Sequence, residues 1–205
     1  MRSRGRAIVN GLGDTAPDAI GLVLAAGAAT RFGSPKQVAP FRGQPMINWP
    51  IQALRAGGLT WVLAVLGAEH ERVAARLDGA HAILAPDWQD GLSASLRAGV
   101  AAAARLGAAR VVVALADQPL LSGAAVARVL AASRGGYPVV RADYGDVQGH
   151  PTALASATFA AVAELRGDAG ARRLTGFDLI DVPCAGLGSP ADADTPEDLE
   201  RLSGS

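Results

Sequence analysis

The chain has 205 residues, within the range of a single α/β domain, and its 50% hydrophobic content supplies a sizeable core. Nineteen basic residues balance nineteen acidic ones and aromatics are only 4%, which excludes the basic, base-stacking surface of a nucleic-acid binder. A lone cysteine, Cys184, excludes a disulfide within the chain and a cysteine-based metal site, and it fits a reducing cytoplasm.

Residues 1–19 begin basic but hold an apolar run of only three, Ala7 to Val9. That run is too short for the core of a signal peptide, so this segment is expected to be a flexible N-terminal extension. No stretch approaches the roughly 18 apolar residues of a membrane span, and the chain is expected to be soluble and cytoplasmic, with no membrane partner. From residue 20 onward, short apolar runs alternate with alanine-rich helical patterns. Strands are predicted at 20–25, 61–66, 82–85 and 111–116, and helices near 46–56, 69–77 and 93–106. Pro50 falls in the first helical window, where it is tolerated only near a helix start or at a kink. Strands this apolar, separated by amphipathic helices, predict an α/β fold: a mostly parallel, Rossmann-like sheet with helices on both faces. After about residue 135, GGYPVVRADYGDVQGHP is rich in turn residues and predicts a small inserted β hairpin beside the sheet. Helical patterning returns at 155–165, and a last β run covers 179–183. With no repeat and no long linker, residues 20–203 are predicted to form one domain.

Candidate chemistry gathers around strand ends and loops. LVLAAGAATRFGSPK, residues 22–36, turns at Gly27 and places Arg31 and Lys36 on either side of Gly33. Glycines there let the backbone approach a ligand, and the amides of such a turn cradle phosphate oxygens. Arg31 can chelate two oxygens in a fork while Lys36 acts as a mobile point charge. The plainer alternative is a surface loop with two solvated cations. A P-loop is excluded, because Gly27 and Gly33 are six apart and glutamine follows Lys36; the G-x-G-x-x-G fingerprint is also missing. DWQDGLSASLRAG offers Gly91, Ser93 and Ser95 before a helix, as caps or as readers of a nucleobase edge. In VVVALADQPLLSG, Asp117 stands at a strand tip, either as a cap or as a ligand for Mg2+, which favours one or two carboxylates plus phosphate oxygens. QGHP places His150 in the inserted region, where its imidazole is expected to be exposed. GDAGARR gathers Asp168, Gly170 and Arg172 in an anion-facing turn. The three histidines lie too far apart in sequence for a metal motif, and His70 and His81 are read as structural. DADTPEDLERL opens a helix, with Thr195 as N-cap and Pro196 at the first helical position. Asp192 and Asp194 are left over, either solvated or available as a second carboxylate for a metal.

Together these stretches carry a resemblance. LAAGAATRFGSPK resembles the signature LAAG-x-x-x-R-[FM]-G-x-x-K of the MobA-like nucleotidyltransferases. WQDGLSASLRAG, VALADQP, GHP, GDAGAR and DADTPEDL are similar, in order, to stretches of that family's molybdenum cofactor cytidylyltransferase (MocA) group. The resemblance runs from about residue 20 to 202. It implies a loop in which Leu24, Ala25, Ala26, Gly27, Arg31, Gly33 and Lys36 bind the nucleotide, with Gly91, Ser93 and Ser95 near the base. It further implies Arg31, Lys36 and Asp117 as catalytic residues. Asp117 and Asp192 would hold Mg2+ or Mn2+, with Asp194 as the alternative to Asp192. Ala26 and Phe32 match the LAAG…RFG form of the loop, which implies CTP in preference to GTP. Where the family often has serine, this loop reads Ala28, Ala29 and Thr30, so one side-chain donor to phosphate is missing or replaced by Thr30. The implied acceptor is the phosphate of a molybdopterin-type cofactor, with His150, Asp168 and Arg172 as candidate acceptor-binding residues and a molybdoenzyme as partner. The alternatives are another phosphorylated acceptor, such as a sugar phosphate or small metabolite, and a non-catalytic cofactor carrier.

Overall fold

The computed structural model describes residues 17–27, 32 and 35–204. The expected N-terminal extension lies outside the described residues as far as residue 16. The strands, in chain order, are β1 (Ala19–Ala25), β2 (Pro40–Phe41), β3 (Gln44–Pro45), β4 (Trp61–Leu66), β5 (His81–Leu84), β6 (Arg110–Leu115), β7 (Val139–Asp143), β8 (Gln148–Ala155) and β9 (Leu179–Pro183). The helices are α1 (Asn48–Ala56), α2 (His70–Ala74), α3 (Leu92–Arg105), α4 (Gly123–Ser133), α5 (Phe159–Ala163) and α6 (Pro196–Ser203). β2 and β3 form a small separate hairpin, and the rest make one seven-stranded sheet in the order β5-β4-β1-β6-β8-β7-β9.

β1 reads AIGLVLA and every residue of it is buried, as a parallel strand covered on both faces requires. It pairs in parallel with β4 on one side and β6 on the other. Ile51 and Leu54 of α1 pack with Val126 and Val129 of α4 on one face of the sheet. Leu96 and Val100 of α3 pack with Val162 of α5 on the other. This is the mostly parallel, Rossmann-like sheet with helices on both faces. Pro50 is the third residue of α1, within the first turn, where a helix has no use for its missing amide hydrogen.

Two elements depart from expectation. β7 and β8 form the expected hairpin, but β8 also pairs antiparallel with β6, Val111 opposite Leu154. The insertion therefore extends the main sheet and does not lie beside it. β9 then adds in parallel to β7. Turn residues announce a hairpin, but which edge it joins depends on an unpaired neighbour far away in sequence. The helix α4 was not predicted, although Ser122 caps it by accepting a hydrogen bond from the Ala125 amide at 3.1 Å.

The arrangement fixes where a ligand can sit. From β1 the chain passes to β4 and β5 on one side, then to β6 on the other. The β1/β6 boundary is thus a topological switch point, and the crevice beyond its carboxyl ends is the natural binding place. Among the described residues, no helix is long and apolar enough to cross a membrane.

Candidate active site

At the switch point, Ala116 donates its amide hydrogen to the Leu24 carbonyl at 3.1 Å, so β1 and β6 end together. Asp117 follows at once. On the β1 side the chain returns through a 3-10 turn, Lys36–Val38. Gln37, only 2% exposed, donates from Nε2 to the carbonyls of Ala25 at 2.9 Å and Gly27 at 2.8 Å. These two hydrogen bonds draw the far end of the loop back onto β1 and set Lys36 above the sheet edge. Lys36 Nζ then donates to Asp117 Oδ2 and to Asp194 Oδ1, each at 2.7 Å.

Asp194 reaches this point through local chemistry at the start of α6. Thr195 and Asp198 form a reciprocal capping box. Asp198 Oδ2 accepts from the Thr195 amide at 3.1 Å and also from the Asp194 amide at 3.2 Å. One residue earlier, the buried Ala193 donates its amide hydrogen to the Asp117 carbonyl at 2.9 Å. A helix start predicted on capping grounds alone therefore also aims an acid into the site.

A cavity of about 400 Å3 opens above this cluster. Leu24, Ala25, Ala26, Gly27, Lys36, Gly91 and Ser95 line it, together with Asp117 and Asp194. Arg31 and Gly33 lie outside the described residues. Ser93 is not in the wall. It is fully buried, and its Oγ accepts a hydrogen bond from Arg97 Nη1 at 3.1 Å. Gly91 has φ +97° and ψ −170°, a conformation essentially reserved for glycine. A Cβ there would stand 2.5 Å from Asp168 Oδ1. Asp168 thus lies in the wall of this cavity, whereas the resemblance implies it among the acceptor-binding residues. Gln37, Trp88 and Gln89 also line the cavity. Trp88 belongs to the WQDG stretch, whose sequence alone does not mark it as a wall residue. Its signal is Gly67, where a Cβ would meet Trp88 Cγ at 2.5 Å and the Ala26 carbonyl at 2.7 Å.

A second cavity of about 320 Å3 adjoins the first, with Leu92 and Leu115 common to both walls. His150, Arg172, Gln118 and Asp192 line it. The imidazole of His150 is not exposed as expected; the residue is half-buried. Its Nδ1 lies 3.1 Å from the Val113 carbonyl, an acceptor only, so Nδ1 carries the hydrogen and Nε2 keeps its lone pair. Burial lowers its pKa, against the Val113 bond and the charge of Asp117, and the ring is neutral near pH 7. Gln118, 4% exposed, donates from Nε2 to Asp192 Oδ1 at 2.8 Å and to the Pro190 carbonyl at 3.0 Å. Asp192 and Asp194 thus line different cavities, with buried Ala193 between them.

Three carboxylates, Asp117, Asp192 and Asp194, gather around the single ammonium of Lys36. Burial pulls the Lys36 pKa down, but Asp117 and Asp194 outweigh it and hold it above the usual lysine value. Burial, and then the charge of Asp117, push the Asp192 carboxyl above its ordinary range. Asp117 Oδ1 is buried with no hydrogen-bond partner among the described residues. Among the described residues, surplus negative charge, an orphaned carboxylate oxygen and an all-oxygen donor set fit a hard divalent cation. Among the described residues no three His, Cys, Asp or Glu side chains could hold a metal by themselves. Mg2+ needs no such cage, because it completes its shell with phosphate oxygens and water.

The chain is similar in sequence and in fold to known proteins. The chain is 36% identical over 208 residues to nicotine blue oxidoreductase of Paenarthrobacter nicotinovorans, covering 93% of this chain and 100% of that protein. The crystal structure of Rv0371c from Mycobacterium tuberculosis superposes with a TM-score of 0.83 at 31% identity, covering 93% of this chain and 100% of that one. A complex of Rv0371c with manganese matches at a TM-score of 0.78 and 29% identity, with the same coverage. Residues 21–182 match the model of the MobA-like NTP transferase domain, and the chain belongs to that family.

Proposed function

We propose that the protein is a cytoplasmic nucleotidyltransferase, acting as one domain over residues 20–203, that moves CMP from CTP onto the phosphate of a molybdopterin-type cofactor. One observation carries the reading. At the switch point of a MobA-like domain, Lys36 Nζ lies 2.7 Å from both Asp117 and Asp194, at the foot of a cavity that shares a wall with a second one.

In this reading the triphosphate lies along Ala25 to Gly27, and Arg31 and Lys36 hold its oxygens. Gly91, Ser95 and Trp88 lie toward the base. Asp117, with Asp194 or Asp192, would hold Mg2+ or Mn2+, which when bound supplies charge neutralisation at the triphosphate. Arg172 holds the acceptor phosphate. An acceptor oxygen forms a bond to the α-phosphorus as the bond from that phosphorus to the bridging oxygen breaks, and pyrophosphate leaves with the electron pair. The attacking phosphate is already ionised, so the residues have alignment and charge neutralisation to perform, not proton removal. Neutral His150 accepts a hydrogen bond at Nε2 from the body of the acceptor. Ala26 and Phe32 support CTP over GTP.

The relative named an oxidoreductase favours a second reading, in which the fold serves a redox reaction. One assay separates the two. Pyrophosphate release is measured with Mg2+ and each of CTP, GTP, ATP and UTP, with and without molybdopterin-type cofactor, beside turnover of nicotine blue. Release that needs both CTP and the cofactor is the expected result. Silence with every nucleotide, from protein that still binds CTP, would move the search to other phosphorylated acceptors or a cofactor carrier; turnover of nicotine blue would favour the redox reading.

A further inference from the structure

Lys36 already occupies the gap that a cation would need. Its side chain is only 15% exposed, and its Nζ joins Asp117 Oδ2 and Asp194 Oδ1 at 2.7 Å each. These are short, charge-assisted bonds. The backbones that carry the three groups are fastened independently: Gln37 to the Ala25 and Gly27 carbonyls, Ala193 to the Asp117 carbonyl, Asp194 to Asp198. The movable part of the cluster is therefore the flexible lysine stem. Asp117 Oδ1, meanwhile, is buried and unpartnered among the described residues, a state that is costly to keep. With Lys36 seated, one oxygen of Asp117 is occupied and the other is shut off from solvent.

We propose that Lys36 is a place-holding counter-ion. It fills the gap between Asp117 and Asp194 in the nucleotide-free protein, keeps a free divalent cation out, and leaves when a triphosphate offers it other oxygens. The inference rests on the reading of Asp117 and Asp194 as metal-side acids. An ammonium and a divalent cation compete for the same carboxylate oxygens and repel each other. A triphosphate removes the conflict by bringing its own negative charge and a new partner for Lys36. Metal and nucleotide then raise each other's affinity by the same factor. The species the resting site takes up is a metal–triphosphate complex and not the free ion.

The test is Mn2+ binding to the full chain without nucleotide, followed by the electron paramagnetic resonance signal of the free ion. Wild type, Lys36→Met and Lys36→Arg are compared at low and high salt, each checked for folding by circular dichroism. Lys36→Gln is the second neutral variant should Lys36→Met fail to fold. The neutral variant is expected to bind Mn2+ about tenfold more tightly than wild type, the size of an ordinary coupling between sites. Lys36→Arg keeps the wild-type value. The gain persists at high salt, because a direct competitor has been removed and not a screened long-range field. Equal Mn2+ affinity in wild type and the neutral variant, an equal gain in Lys36→Arg, or a gain abolished by salt would each overturn the proposal. Tighter Mn2+ binding in the neutral variant, alongside wild-type protein that fails the pyrophosphate assay, would sink the cytidylyl-transfer reading and leave the place-holder standing.

Discussion

The two adjoining cavities share Leu92 and Leu115 but are built on opposite plans. The first, the proposed nucleotide side, lies beyond the carboxyl ends of parallel β1 and β6, and its charged groups have mainly one another: Lys36 with Asp117 and Asp194. The second, the proposed acceptor side, draws on antiparallel β7 and β8, and several of its polar groups are already engaged with the scaffold. Gln118 donates to the Pro190 carbonyl at 3.0 Å, and His150 donates to the Val113 carbonyl. The difference teaches what each side can recognise. Charges whose partners are other mobile charges can be re-paired by a phosphate or a metal ion. Groups tied to the backbone hold their shape and select a partner by fit.

The largest expected effect lies on the nucleotide side. Asp117→Ala is expected to lower turnover by about 10³-fold, the scale of a lost electrostatic contact in a desolvated site, with the circular dichroism spectrum unchanged. Lys36→Ala should follow it. Wild-type rates of pyrophosphate release in both would end the site assignment. A smaller, one-sided effect is expected from Arg172→Ala: about a tenfold rise in KM for the acceptor, the scale of one charge-assisted hydrogen bond, with CTP affinity unchanged. Equal weakening of CTP binding, read by calorimetry, would erase the division between the cavities.

The smallest effect concerns stability. The Asp192 carboxyl is held above its ordinary value, so the native state keeps a proton that the unfolded chain has already lost. Native stability therefore falls as pH rises from the ordinary carboxylate value through the raised one, and stays lower beyond it. Asp192→Asn removes that fall, for a gain at neutral pH of less than about 1 kcal/mol, the ceiling for a partly exposed charge. Urea unfolding with chelator, from about pH 3 to 7, reads it. A variant whose stability still falls with the wild-type slope would show that another group carries the effect.

Much of the nucleotide side was legible in the chain, because its signals are local. An apolar run ending at Gly27, Asp117 at a strand tip and Thr195 three residues before Asp198 each follow from short-range sterics and hydrogen bonding. Gln37 was not legible as a clamp. It entered only as the residue that breaks a P-loop pattern, and its two bonds reach 12 and 10 residues back. The acceptor side was the less legible half. Asp168 moved to the nucleotide cavity through its contact with Gly91, His150 proved half-buried, and the hairpin joined β6.

By itself the sequence determined the alternation of buried strands with amphipathic helices, the end of β1 and the start of α6. Each is set by residues within a few positions of one another, where backbone sterics and capping decide the outcome. Only the tertiary structure decided that Lys36 meets Asp117 and Asp194, 81 and 158 residues away, and that Asp192 faces the other cavity. Those contacts depend on strand order and on where the returning C-terminal segment docks against the end of β6. Both are set by the packing of the whole sheet, which no local pattern encodes.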